Sequence, residues 1–206
     1  MKSANRKIKK GSLKNLSGGA PTDEEHAAVL KILVKGPQMV TVILGSALVE
    51  HEIENLLLQV LKNKDSNILD ELTNADGPIS TFSQKILLGY ALGLFDKKVM
   101  NAMKAIKKIR NAFAHARKIL KLDDPIIVSE LSRVEFPATE KELLRTAFDD
   151  PSERKIIWAY ATLCVDLIGE LMGKKYKMRL IELNELKSEV KRVERKLSKL
   201  IPENTG

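Results

Sequence analysis

Residues 96–120 constrain the fold of this chain more than any other stretch, because their apolar side chains recur every three or four residues. These apolar positions are Val99, Met103, Ile106, Ile109 and Phe113. The spacing places all of them on one face of an α-helix, whereas a half-buried strand would alternate apolar and polar residues. The stretch therefore predicts a long amphipathic helix, which Asp96 starts as its N-cap.

The same helical period runs through most of the 206 residues, interrupted by turns rich in glycine and proline. Helices are predicted over 22–34, 38–62, 64–75, 82–94, 96–120, 139–148, 152–171 and 174–201. Only residues 126–128 suggest a short extended piece. The predicted fold class is therefore all-α, a helical bundle in which the helix at 152–171 closes the core against the helix at 38–62.

Charge divides the chain into three parts. The net charge is +8, but residues 1–14 carry six basic and no acidic side chains, and residues 174–199 carry ten basic and four acidic ones. The middle of the chain is mildly acidic. We predict a flexible basic arm (1–21), an all-helical domain (22–173) and, after a break at Gly173, a C-terminal amphipathic helix (174–206).

The C-terminal helix carries a heptad seam, in which apolar residues alternate spacings of three and four. The seam consists of Leu183, Leu186, Val190, Val193, Leu197 and Leu200. Such a seam is typical of a coiled coil, although two and a half heptads are fewer than an independent coiled coil needs. Two interpretations stay open: a coiled-coil dimer, or a helix that packs back on its own domain.

Chemistry is concentrated at the end of the helix that begins after Asp96. Arg110, Asn111 and His115 fall off or at the edge of the apolar stripe, and Asn111 and His115 lie one turn apart. Four basic residues surround them: Lys107, Lys108, Arg117 and Lys118. Basic residues and histidine in a last turn can simply complement the helix dipole. The same groups also suit a phosphodiester, and on that interpretation the four basic residues bind nucleic acid.

These residues carry a resemblance to two related families. The pattern Arg110-Asn111-x3-His115 resembles the signature of the HEPN superfamily, which consists of small helical domains that often dimerise and cleave RNA without metal. Five other segments resemble the mannitol operon repressor family: 47–50, 54–57, 76–83, 85–94 and 123–125. The resemblance covers roughly residues 38–170 and implies a helical bundle of HEPN/mannitol-repressor type.

The resemblance implies two functions. The first is a negative regulator that acts as a helical homodimer through nucleic acid, either RNA or DNA, or through a protein partner such as an antitoxin or a transcription regulator. The second is a metal-independent endoribonuclease in which Arg110, Asn111 and His115 are catalytic. In that reaction the RNA 2′-hydroxyl attacks the phosphate, and His115 transfers the proton. Arg110 holds the phosphate, and Asn111 orients either the imidazole or the phosphate.

The sequence contains no motif typical of the other classes of function considered. It has no glycine-rich phosphate loop, no zinc-type spacing of histidine and cysteine, and no evident helix-turn-helix, so no cofactor and no metal is expected. The single cysteine, Cys164, is expected in the core. No signal peptide or bilayer-length apolar run is visible, which predicts a cytoplasmic protein without a membrane segment.

Two acidic residues interrupt the apolar helix at 38–62. Glu50 and Glu54 lie one turn apart on the same face. We expect both carboxylates to face water; the alternative is that they are buried and paired, with Arg110 as the partner. Further along, Gly89 and Gly93 are expected to permit close helix packing.

Overall fold

The computed structural model describes residues 23–62, 64–135 and 152–200, and every regular element within these ranges is an α-helix. The helices are α1 (Asp23–Lys35), α2 (Gln38–Val60), α3 (Ser66–Thr73), α4 (Phe82–Ala91), α5 (Lys97–His115), α6 (Pro125–Ser132) and α7 (Glu153–Leu200). The all-α class is confirmed. The predicted arm at 1–21 and the predicted helix at 139–148 lie outside the described residues.

Helix α2 is the centre of the bundle. It packs most extensively against α7 and also contacts α1, α4 and α5, which confirms the predicted closure of the core. The apolar period of α2 includes Val40 and Ala47 but does not mark the buried face, since both residues are exposed while Gly45 and Ser46 are buried. The helix is apolar on most sides, so its period fixes its orientation poorly. Small residues face α7 because the helices approach closely: a Cβ on Gly45 would lie 2.9 Å from Cys164 Sγ.

Helix α4 begins at the predicted cap. Thr81 and Gln84 form a reciprocal capping box. Only one of the two glycines has the packing role expected of it: a Cβ on Gly89 would lie 2.6 Å from the ring of Phe95. Gly93 instead lies beyond the end of the helix with φ of 69°, a left-handed conformation that glycine adopts without strain.

Two residues of α4 that the pattern places in the core, Leu87 and Tyr90, are exposed. Helix α5 agrees better with its pattern. The Asp96 side chain accepts a hydrogen bond from the Val99 amide at 3.0 Å, and all five residues of the predicted stripe are buried. The helix ends at His115, five residues earlier than predicted, so the basic residues beyond it belong to a loop.

The extended piece predicted at residues 126–128 is wrong, because these residues lie in α6. The Asp124 side chain accepts a hydrogen bond from the Ile126 amide at 3.0 Å, and Pro125 occupies the first turn of the helix. A proline there costs no hydrogen bond and has a suitable φ. The cap and the proline therefore outweigh the strand preference of the β-branched residues that follow.

Helix α7 is a single helix of 48 residues, about 72 Å long. The break predicted at Gly173 is wrong, since the helix passes through this residue without interruption. Its first half forms one wall of the core. In its second half, the described seam residues Leu183, Leu186, Val190 and Val193 are 52–58% exposed, so they do not pack back on the domain. The division of the chain at residue 173 into domain and appendage stays a prediction.

Length and composition alone would allow α7 to cross a membrane. An 18-residue window within Glu153–Lys196 has a mean hydropathy of 1.5, and 44% of that window is buried. One such helix among the described residues is weak evidence, because the core helix of a bundle passes the same test. The cytoplasmic location stays a prediction.

Candidate functional site

Four charged side chains from three helices meet at the edge of the core, and we call them the α2–α4–α5 cluster: Glu50, Glu54, Lys85 and Arg110. The Lys85 ammonium lies 3.1 Å from a Glu50 oxygen and 2.6 Å from a Glu54 oxygen. Arg110 Nη2 donates to the second Glu50 oxygen at 3.5 Å. The expectation that Glu50 and Glu54 face water is wrong, and the alternative partner, Arg110, contacts only Glu50.

Lys85 was not singled out by the sequence, although it is the most deeply buried member of the cluster. Only 5% of the residue is exposed. A buried ammonium needs anionic partners because desolvation disfavours its charged form. The available signal was positional: Lys85 lies between Phe82 and Ile86 on the inward face of α4, opposite two acids in the middle of an apolar helix.

Arg110 is only partly accessible. Its side chain is 31% exposed, one nitrogen faces Glu50, and its buried Nε finds no hydrogen-bond partner among the described residues. The guanidinium is therefore attached to α2 through an ion pair with a long contact distance. To bind a phosphate bidentately, Arg110 would have to exchange that contact for the phosphate oxygens.

Asn111 and His115 lie on the surface, one turn apart in α5. His115 is the last residue of the helix, where a positive imidazolium complements the carbonyl end of the dipole. The imidazole is not sealed in the interior, so it is accessible to a ligand or to solvent. The structure thus brings two of the three predicted catalytic residues to the surface and holds the third, Arg110, against α2.

The four residues predicted to bind nucleic acid divide into two pairs. Lys107 donates to the Ser83 hydroxyl at 2.7 Å, and Lys108 contacts the Glu130 carboxylate at 3.0 Å. Arg117 and Lys118 lie in the loop after α5 and are exposed.

The loop between α5 and α6 presents an apolar surface that sequence reasoning missed. Ile119 is 93% exposed and Ile126, in the first turn of α6, is 77% exposed. Ile119 also lines a concavity of about 500 Å³, together with residues 118, 120, 121, 123 and 124. We call Arg117, Lys118, Ile119, Lys121 and Ile126 the α5–α6 surface. The sequence signal was that Ile119 falls off the apolar stripe and follows directly after basic residues.

No group of three metal-ligating side chains occurs in the part of the chain that the structure describes. The fold and the surface chemistry therefore define a class: an all-helical bundle with an internal charge cluster and a basic, partly apolar loop at its surface. The family follows from the sequence match. Residues 27–164, more than half of the chain, match the model of the mannitol repressor family, so the chain belongs to that family.

The fold also has a solved counterpart. The chain is similar to a protein in the X-ray structure of the MtlR-HPr complex from Escherichia coli, with a TM-score of 0.55 and 19% sequence identity. The match covers 70% of this chain and 96% of that one. At this identity the likeness shows a shared fold. The comparison with curated proteins gave no match.

Proposed function

We propose that this protein is a negative regulator of the mannitol-repressor type, and that it acts by binding a partner protein at the α5–α6 surface. Membership of the family and the likeness to a relative that was solved in complex with HPr support a protein partner. The observation that carries the proposal is the exposure of Ile119, 93%, next to Lys118 in the α5–α6 loop. The predicted homodimer remains part of the proposal.

The chemistry of the α5–α6 surface favours a protein over a free nucleic acid. A single exposed isoleucine is ordinary, but Ile119 lines a concavity whose other lining residues include Lys118, Lys121, Asp123 and Asp124, and Ile126 is exposed on the adjoining helix. This arrangement resembles a small interface with an apolar centre and a charged border. A phosphodiester backbone would use the cations and leave both isoleucines in water. The expected partner surface therefore has an apolar patch at its centre and acidic side chains where it meets Arg117 and Lys118.

Calorimetric titration with HPr from the organism that produces this chain tests the proposal. The full chain should bind HPr, and the double variant Arg117→Glu/Lys118→Glu should weaken binding by roughly tenfold or more, because like charges would face each other across the interface. The matched control is Lys31→Glu/Lys35→Glu, which makes the same charge change at exposed positions of α1. Absence of binding would exclude HPr as the partner, and equal losses in both double variants would overturn the assignment of the partner to the α5–α6 surface.

A second candidate function is metal-independent RNA cleavage, favoured by the surface exposure of Asn111 and His115 one turn apart. The RNA supplies its own nucleophile, and an imidazole is the side chain that most often transfers protons in enzyme reactions. One imidazole per chain cannot readily act as both base and acid. This candidate therefore needs two chains that bring their motifs together.

Cleavage of RNA in the presence of EDTA distinguishes the two candidates. If this protein is a nuclease, His115→Ala should abolish cleavage and keep the fold, because the side chain is exposed. Glu50→Gln should raise cleavage, since it removes the charge that holds Arg110 against α2. A wild-type chain that leaves RNA intact in EDTA rules out the nuclease and leaves the regulator.

A further inference from the structure

The outer half of α7 carries an apolar stripe that nothing in the described part of the chain covers. In heptad notation, Leu183 and Val190 occupy a positions, and Leu186 and Val193 occupy d positions. All four side chains are 52–58% exposed. The stripe lies beyond residue 164, where the family match ends, so it is a feature of this chain in addition to the family domain.

We propose that this stripe packs against the same segment of a second copy of the chain, and that the two helices run antiparallel with Val190 opposite the partner's Val193. In this register, residues 183–200 of the two helices overlap over about 27 Å. The proposal concerns how two copies associate and does not depend on the partner-binding surface at the α5–α6 loop.

Charge complementarity fixes the direction and the register. Within the overlap, the stripe is flanked at its e positions by Lys187 and Glu194, and at its g positions by Glu189 and Lys196; Glu182, at the preceding g position, lies just outside the overlap. Antiparallel coiled coils bring e beside e and g beside g. With Val190 opposite the partner's Val193, Lys187 meets the partner's Glu194 and Glu189 meets the partner's Lys196. Symmetry repeats both contacts, so all four flanking pairs are attractive.

The other arrangements bring like charges together. A parallel dimer in register would place Glu189 beside the partner's Glu194 twice, which offsets the two attractive contacts of Glu182 with the partner's Lys187. It would also stack the d-position Arg179 on its own copy. Shifting the antiparallel register by one heptad toward the domain would place Glu189 against itself and Lys187 against itself, which offsets the attractive contacts of Glu182 with the partner's Lys196. Of these arrangements, the proposed register is the one in which every flanking pair within the overlap joins opposite charges.

The bundle leaves room for this arrangement. Met178 is the last residue of α7 that packs against the core, and Lys175, just before it, pairs with Glu52 of α2 at 3.1 Å. The overlap of the described residues begins at Leu183, five residues beyond Met178. The two domains therefore lie at opposite ends of the overlap and do not collide. A parallel dimer would place both bundles side by side at the same end.

Charge-exchange variants, followed by analytical ultracentrifugation over a concentration series, test the direction. Glu194→Lys should weaken the antiparallel dimer roughly tenfold, because it creates two like-charged contacts with Lys187. The exchange Lys187→Glu/Glu194→Lys should restore association. A parallel dimer behaves oppositely, since Glu194→Lys would give Glu189 an opposite charge and strengthen it. Val190→Glu should abolish association and leave the helical circular dichroism signal intact, because the side chain is exposed.

A distance measurement provides a second, independent test. A spin label on Lys177→Cys should give about 44 Å between the two copies in the antiparallel register, against less than about 20 Å in a parallel one. The native Cys164 is fully buried and should stay unlabelled. A monomer at all concentrations, a short distance, or a dimer that survives Val190→Glu would each overturn the inference. None of these outcomes bears on HPr binding, so the two proposals fail separately.

Discussion

Replacing Lys85 by methionine should cost this protein a large part of its stability. Lys85 is 5% exposed and contacts Glu50 at 3.1 Å and Glu54 at 2.6 Å. Methionine fills similar space, so the loss is one of charge compensation and not of packing. Removing one partner of a buried ion pair costs about 3–5 kcal/mol. The two carboxylates are 22% and 27% exposed, which lets water solvate them partly and favours the lower end, about 3 kcal/mol.

Urea unfolding followed by circular dichroism measures this loss as a lower midpoint at unchanged slope. In a thermal scan the same loss corresponds to roughly 6–12 °C for a chain of this size. Changing Glu50 and Glu54 to glutamine in the Lys85→Met background should recover much of the stability, because the uncompensated charges are removed.

The matched control is Lys98→Met. Lys98 lies 2.6 Å from Glu135, as close as Lys85 lies to Glu54, but both partners are more than 60% exposed. This substitution should leave the midpoint nearly unchanged, since exposed pairs contribute little. Equal effects of Lys85→Met and Lys98→Met, or no recovery by the two glutamines, would refute the reasoning that burial gives the cluster its importance.

Three further predictions concern local features. Gly89→Ala should destabilise the fold by about 1–3 kcal/mol, because its Cβ would lie 2.6 Å from a buried aromatic ring. Gly169 has open space around it, so Gly169→Ala should stabilise α7 by up to about 1 kcal/mol. The urea midpoints of the two variants measure this difference. Asp96→Ala should lower the free energy of unfolding by about 1 kcal/mol through loss of the α5 cap, and Asp96→Asn should restore most of it. Burial raises the pKa of the Cys164 thiol and of the Tyr160 hydroxyl, so both groups ionise only when the chain unfolds. Stability should therefore be full below about pH 9 and fall as the pH rises above it, and Cys164→Ala should reduce the slope of that fall.

The sequence predicted the helices well where caps and a clear apolar stripe agreed. In α5 the Asp96 cap and the five-residue stripe point to the same face, and both predictions are confirmed. The predictions failed where a local preference competed with a cap, as at residues 126–128, and where a helix is apolar on most sides, as in α2. In those places the tertiary neighbours decide the orientation, and the period of a single segment cannot reveal them.

The candidate site was only partly predictable, for a similar reason. Exposure of Asn111 and His115 follows from the period of α5 alone. The contact of Lys85 with Glu50 and Glu54 joins residues 31 to 35 positions apart, and it depends on how α4 crosses α2. In a sequence, such a contact is indicated only by a charged residue on an inward helical face, and Lys85 is such a residue.

The α2–α4–α5 cluster also has a consequence for how this family domain can vary. Lys85 and Arg110 together balance Glu50 and Glu54, so losing any one of the four leaves an unbalanced charge at the edge of the core. We expect substitutions at positions 50, 54 and 85 to be inherited together, with lineages either keeping the whole set or replacing it by uncharged side chains. Arg110 is released from α2 in the second kind of lineage, and its neighbours Asn111 and His115 are then free to diverge.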